Sequence, residues 1–205
     1  MFSTKLFFYP LLLVFLGGIT NAGDWLIDPS PYKAEIIASD RSLILRNGLV
    51  SREIMTTPNA ASVSLQNVQT GEEFIRSIRP EAEVVIDGTR YSIGGLLGQP
   101  VHNYILPQWM DSLRRDPHSF EFVDYVIGPT QERFAWLKRS AWMPQDAAWP
   151  PPGKRLELIF RACTEIGQQQ PNLHNVIVKV YYEIYDGIPL LAEWISVENK
   201  SQQSI

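Results

Sequence analysis

The stretch Val176–Asn199, VIVKVYYEIYDGIPLLAEWISVEN, constrains the fold of this chain more than any other. Val176, Val178, Val180, Tyr182 and Ile184 alternate with Ile177, Lys179, Tyr181, Glu183 and Tyr185. A period of two marks a half-buried strand, because successive side chains leave a pleated strand on opposite faces. Asp186-Gly187 interrupts the run where a two-residue hairpin turn belongs, since Gly accepts positive φ freely and Asp tolerates it better than most. Such a turn sets Tyr185 against Ile188. Counting outward, Ile184, Tyr182, Val180, Val178 and Val176 then oppose Pro189, Leu191, Glu193, Ile195 and Val197, so Glu193 alone breaks an apolar face. The other face pairs Glu183 with Leu190 and Lys179 with Trp194, where a cation can sit on a ring. The segment reads as a long antiparallel hairpin.

The same grammar runs through the rest of the chain. Residues 42–46 and 49–54 flank Asn47-Gly48, residues 82–86 and 89–93 flank Asp87-Gly88, and residues 62–66 and 73–78 flank a looser turn at Gln69-Thr70-Gly71. Further strands are expected at 120–127, 133–139 and 156–163, about eleven in all. Pro107–Arg115 suits at most two helical turns. Short strands spaced by turns predict an all-β antiparallel sandwich over residues 23–199. Its expected core is Leu43, Leu45, Val63, Leu65, Val84, Ile86, Phe120, Phe122, Leu156, Leu158, Phe160, Val178, Tyr182 and Ile195, the in-phase apolar positions. Two stretches, 94–109 and 140–153, are longer than a hairpin needs, and long loops in compact domains often carry function.

Lys5, the apolar run Leu6–Leu16 and the small-x-small site Thr20-Asn21-Ala22 predict a signal peptide over residues 1–22, cut after Ala22. The run is shorter than the roughly 20 apolar residues a membrane span needs, and Pro10 interrupts it. The expectation is therefore a secreted or periplasmic protein with no membrane anchor after cleavage. Net charge is −4 and the basic residues form no patch, which argues against nucleic acid as a partner. Cys163 is the single cysteine, so no internal disulfide forms, and with no base beside it in sequence it reads as an inert thiol rather than a nucleophile.

No hydrolase elbow, zinc motif, phosphate loop or C-x-x-C is present, and no catalytic residue, metal site or cofactor is assigned. His102, His118 and His174 fall in separate loops and read as solvated. The acids at Glu72-Glu73 and Glu81–Glu83 read as wet surface. Aromatic residues are the better lead: Tyr104, Trp109, Trp142 and Trp149 are candidates for carbohydrate binding or for a domain interface, since flat amphipathic rings suit sugar faces and partly wet contacts alike. Trp136 alternates with Phe134 and is expected in the core. Asn199-Lys200-Ser201 fits the N-glycosylation pattern.

The segments Ser42–Ile54 (SLILRNGLVSREI), Asn67–Gly88, Tyr91–Pro100 (YSIGGLLGQP) and Tyr182–Asn199 resemble the amino-terminal β-sandwich of α-galactosidase-like glycoside hydrolases, family 36 and its relatives. The YEIYDGIPLL run is the most specific part. The resemblance implies a supersandwich of the galactose mutarotase type, set before a (β/α)₈ barrel whose aspartates do the chemistry. It implies a galactoside or other glycan as a partner, together with the absent C-terminal catalytic barrel domain, and no hydrolysis by this chain alone. Residues 200–205 then read as a short tail at a truncation point, leaving Ile177, Tyr181, Leu190 and Trp194 as an apolar outer surface. The alternatives are a stand-alone carbohydrate-binding module with Trp142 and Trp149 as platforms, or a mutarotase-like enzyme, which needs a histidine and a carboxylate in one cleft.

Overall fold

The structure is a computed structural model that describes residues 24–137, 141, 144 and 147–201. The expected signal peptide and Trp142 lie outside the described residues.

The chain folds as an all-β sandwich. Its first sheet contains β1 (Glu35–Ala38), β2 (Ser42–Arg46), β3 (Val50–Met55), β4 (Ala61–Asn67) and β5 (Glu72–Glu73), antiparallel in that order. β6 (Ala82–Ile86) and β7 (Thr89–Ile93) follow, then a ribbon of β8 (Leu96–Leu97) with β9 (Arg114–Arg115). The long strands β10 (Ser119–Pro129), β11 (Gly153–Ala162), β12 (Val176–Tyr185) and β13 (Leu191–Asn199) complete the second sheet in the order β13-β12-β11-β10-β7-β6. All its pairs are antiparallel except β7 with β10, which run parallel through Ser92–Ser119 and Ile93–Phe120. One short helix, α1 (Thr164–Gln169), and 3₁₀ turns at Pro107–Ser112 and Pro171–Asn175 interrupt the strands.

Alternation explains the core. Leu43, Leu45 and Ile54 project inward from the first sheet onto Leu156, Leu158, Phe160, Val178, Val180, Tyr182 and Ile184, all fully buried. A second, smaller core lies by the first sheet's outer side. There Met55, Ala61, Ile78, Leu96 and Leu113 pack with Val63, Ile105 and Met110. This cluster seats the 94–113 segment, so the long loop is held rather than free.

Several expectations are met. Asp87 (φ 48°) and Gly88 (φ 76°) form the two-residue turn between Ile86 and Thr89. Cys163 is buried, donates to the Pro117 carbonyl at 3.1 Å, and has its thiol pKa pushed up by burial.

Others are corrected. The β12–β13 register is shifted by two: Ile184 pairs with Leu191, Tyr182 with Glu193, Val180 with Ile195 and Val178 with Val197. Asp186 is not free to make a tight turn, because its carboxylate accepts the Ala34 N–H at 2.8 Å and pairs with Lys33 at 3.1 Å, while the Gly187 N–H reaches the Tyr32 carbonyl. The connection widens to reach them, and Pro189, with no N–H for a ladder bond, stays in the loop.

Ile195 is consequently 40 % exposed and no core residue; Val197 beside it is 45 % exposed. Val63, Leu65 and Phe122 are half-buried at the margins. The face expected to look too apolar is largely covered instead. Ile177 is buried, Tyr181 stacks on Trp194 at 5.0 Å, and only Leu190 is truly exposed. Lys179 leaves Trp194 and pairs with Glu157 and Glu198, both at 3.0 Å, while Arg133 caps the Trp194 ring at 4.1 Å. Residues 133–137 form no strand, and of 73–78 only Glu73 does.

Candidate functional site

The outer face of the first sheet carries an open groove of about 690 Å³. Its floor comes from β3 and β4, where the alternation that sends Arg52 and Ile54 inward sends Glu53 and Met55 outward, beside Val63 and Ser64. One wall is Glu73, Ile75 and Arg76, from the end of β5 onward; the other is Tyr104–Asp111, from the long loop and its 3₁₀ turn. Tyr104 is 47 % exposed at the lip and its ring stacks on Trp109, centroids 5.4 Å apart and planes 30° apart. Arg41 bonds Asp111 across the end of the groove at 2.9 Å. Glu73 is consumed by structure, since its carboxylate accepts Ser64 Oγ at 2.5 Å and the N–H groups of Leu65 and Ile75 at 2.8 Å.

Gln99 joins the two walls. Buried to 8 %, it accepts the Ile78 N–H at 2.9 Å through its side-chain carbonyl. Its NH₂ faces the carbonyls of Arg76 at 3.1 Å, Val101 at 2.6 Å and Tyr104 at 2.9 Å. One side chain thus sets the spacing between Arg76 and Tyr104. Gln99 lies in the long loop over residues 94–109, but nothing about its spacing identifies it, because the carbonyls it binds are brought together only by the fold.

Beyond Arg76 the groove meets a second cleft of about 360 Å³, lined by Arg76, Ser77, Arg79, Arg52, Glu81 and Glu193 among others. Its depth is a buried polar network between the sheets. Tyr182 donates to Glu81 through a short hydrogen bond and lies 3.1 Å from Glu193. Arg52 donates to Ser62 Oγ at 2.8 Å and Tyr182 Oη at 3.1 Å, with Glu81 at 3.6 Å and Glu193 at 3.5 Å. Glu81 also accepts the Ser62 N–H at 2.5 Å and Ser62 Oγ at 3.0 Å. Glu81 is therefore core structure, not wet surface. Burial raises the Glu193 carboxyl, with Arg52 opposing and Glu81 adding to the rise. The Tyr182 hydroxyl is likewise raised well above its usual value, by burial first and then by the Glu81 charge. The one legible signal of this network was Glu193 standing on an apolar strand face.

The four aromatic candidates do not converge. Tyr104 stands at the groove lip with Trp109 stacked on it. Trp149 sits on the far side of the molecule's second sheet, in a cluster with Trp136 (4.9 Å) and Phe134 (5.3 Å), and its indole N–H reaches Glu132 at 3.3 Å. Trp136 is only half-buried there, so it is not core. A recess of about 250 Å³ beside this cluster includes Glu183 and Tyr185, whose hydroxyl donates to Glu183 at 2.9 Å and is pushed up to about 12, by burial first and then by that acid.

His102, His118 and His174 are all exposed. His102 contacts Ser77 at 3.0 Å and shares a recess with Asp116, whose carboxylate is taken by the His118 N–H; His174 packs on Gly167. Neither His102 nor His174 lines the groove or the cleft with Glu81 and Glu193. No group of His, Cys, Asp and Glu suited to a metal occurs among the described residues, and no described helix is long and apolar enough to cross a membrane. No family model, curated protein or solved structure matches the chain.

Proposed function

We propose that this chain is a secreted, non-catalytic β-sandwich domain of an α-galactosidase-like glycoside hydrolase, and that the groove on its first sheet holds a saccharide. The observation that carries the binding role is the Tyr104 ring, half exposed and braced by Trp109 at the lip of a groove walled by Arg41, Glu53, Arg76 and Asp111. A flat ring takes the apolar face of a pyranose while charged side chains take its hydroxyls, and an open groove admits a chain rather than a single buried sugar.

The domain assignment rests on the sequence resemblance. Its most specific motif serves the scaffold here: Asp186 and Gly187 tie the segment around Tyr32–Ala34 to the β12–β13 loop. The second aromatic cluster suits a different role. Phe134 is 55 % exposed and packs on Trp149, which shares a recess with the 51 % exposed Leu190, an apolar face fitted to a neighbouring domain such as a catalytic barrel.

Titration with galactobiose by calorimetry and intrinsic fluorescence tests the groove. Binding is expected to fall about tenfold in Tyr104→Ala, a loss of about 1.4 kcal/mol, and to be unchanged in Trp149→Ala. Absence of saccharide binding by the folded chain, or loss through Trp149 rather than Tyr104, refutes the assignment.

A further inference from the structure

The groove does not stop at its own wall. Arg76 lines both the groove and the neighbouring cleft, and Arg79 lines that cleft on the far side of Ser77. The other two arginines that line these cavities are committed, Arg41 to Asp111 and Arg52 to Glu81 and Glu193. Arg76 and Arg79 are exposed and make no side-chain hydrogen bond or ion pair among the described residues. Their backbone is nevertheless held. The Arg76 carbonyl binds Gln99, and the Ile78 N–H between them binds the same side chain. Two free guanidiniums are therefore presented from an anchored segment, next to an aromatic platform whose position the same glutamine sets.

We infer that the cleft beyond Arg76 takes the acid group of a carboxylate-bearing saccharide, with Arg76 and Arg79 as its ligands and a neighbouring sugar ring on Tyr104. This rests on the groove being a saccharide site. Guanidinium presents a planar fork of donors that matches a carboxylate in charge and shape, which a neutral sugar cannot exploit. The floor carries its own countercharge, because Arg52 lies 3.6 Å from Glu81 and 3.5 Å from Glu193. Ser77, between the two arginines, adds a hydroxyl that is engaged with His102 at 3.0 Å and can also reach the cleft. The recognition predicted is for a uronate-containing oligosaccharide over its neutral counterpart.

Calorimetric titration of the chain with digalacturonate and with galactobiose, at low and at moderate salt, decides it. Digalacturonate is expected to bind at least about tenfold more tightly at low salt, and that preference should shrink as salt is raised while galactobiose binding stays level. Arg76→Gln and Arg79→Gln should each reduce the preference about fivefold with melting temperature unchanged, and Arg79→Gln, at a residue that does not line the groove, should leave galactobiose affinity untouched. Tyr104→Ala should weaken both ligands. Equal affinity for the two ligands, or a preference that survives in the Arg76→Gln, Arg79→Gln double variant, overturns the inference while leaving the saccharide groove standing. Binding of neither ligand by the folded chain overturns both.

Discussion

Arg52→Met is the perturbation that most directly tests how the two sheets are joined. The Arg52 side chain is 15 % exposed and Glu81 only 1 %, so this pair sits in the sandwich interior rather than at its surface. Methionine keeps the length of the stem and limits any cavity, leaving the charge and the forked donors as the main loss. Breaking a buried ion pair by removing one partner costs about 3–5 kcal/mol.

Glu81 keeps its bonds from Ser62 and Tyr182, which argues for the lower end, while Ser62 and Tyr182 each lose a charged donor. The contact to Glu193, 37 % exposed, is replaced by water and adds under about 1 kcal/mol. The expected loss is about 4 kcal/mol, or about 10 °C in Tm for a domain of this size. Urea unfolding followed by far-UV circular dichroism reads the first quantity and calorimetry the second. Arg52→Lys should recover part of the loss, since it restores charge without the fork. In the Glu81→Gln background the same Arg52→Met change should cost only about 1–2 kcal/mol, because the charge that needs Arg52 is gone. A cost below about 1 kcal/mol in the wild-type background, or a coupling of zero in the cycle, would falsify the view that Arg52 neutralises Glu81 across the sheets.

Three further outcomes are expected. Glu193 has a folded-state pKa raised above its ordinary 4.5, so its contribution to stability is fully present below that value and is lost as pH rises through the raised one. The Tm of Glu193→Gln minus that of wild type should therefore increase between pH 4 and pH 8, and a flat or falling difference contradicts the assignment. Ile195→Lys should cost under about 1 kcal/mol whereas Val180→Ala costs about 2 kcal/mol or more, since Ile195 is 40 % exposed and its partner fully buried; equal costs in urea titrations would mean the β12–β13 register is wrong. Gln99→Ala removes the bonds that hold Arg76, Ile78, Val101 and Tyr104 together and should cost about 2 kcal/mol. It should also speed amide exchange at Ile78 selectively, and unchanged protection there excludes Gln99 as the spacer.

Local architecture is written in the order of the residues. Period-two runs placed β2, β3, β4, β6, β7, β10, β11 and β12 close to their observed bounds, because which face of a strand is apolar is written residue by residue. Asp87-Gly88 specified its own turn for the same reason: the φ values needed are properties of those two residues. The aromatic lead was legible as residues, but not as a site. Nothing local says that Tyr104 and Trp109 stack on one another while Trp149 joins Trp136 elsewhere.

What tertiary structure decided are the quantities that depend on partners far away in the chain. The Asp186-Gly187 pair carries a strong hairpin signal, yet it opens into a wider loop because Ala34 and Tyr32 claim its polar groups from over 150 residues away. That claim moves the register by two and leaves Ile195 in solvent. Glu81 reads as one of several surface acids until Ser62, Tyr182 and Arg52 surround it. Gln99 reads as an ordinary loop amide until three carbonyls and an N–H converge on it. Alternation reports which side of a strand faces inward. Which charge, carbonyl or ring waits on that side is set only when the sheets close.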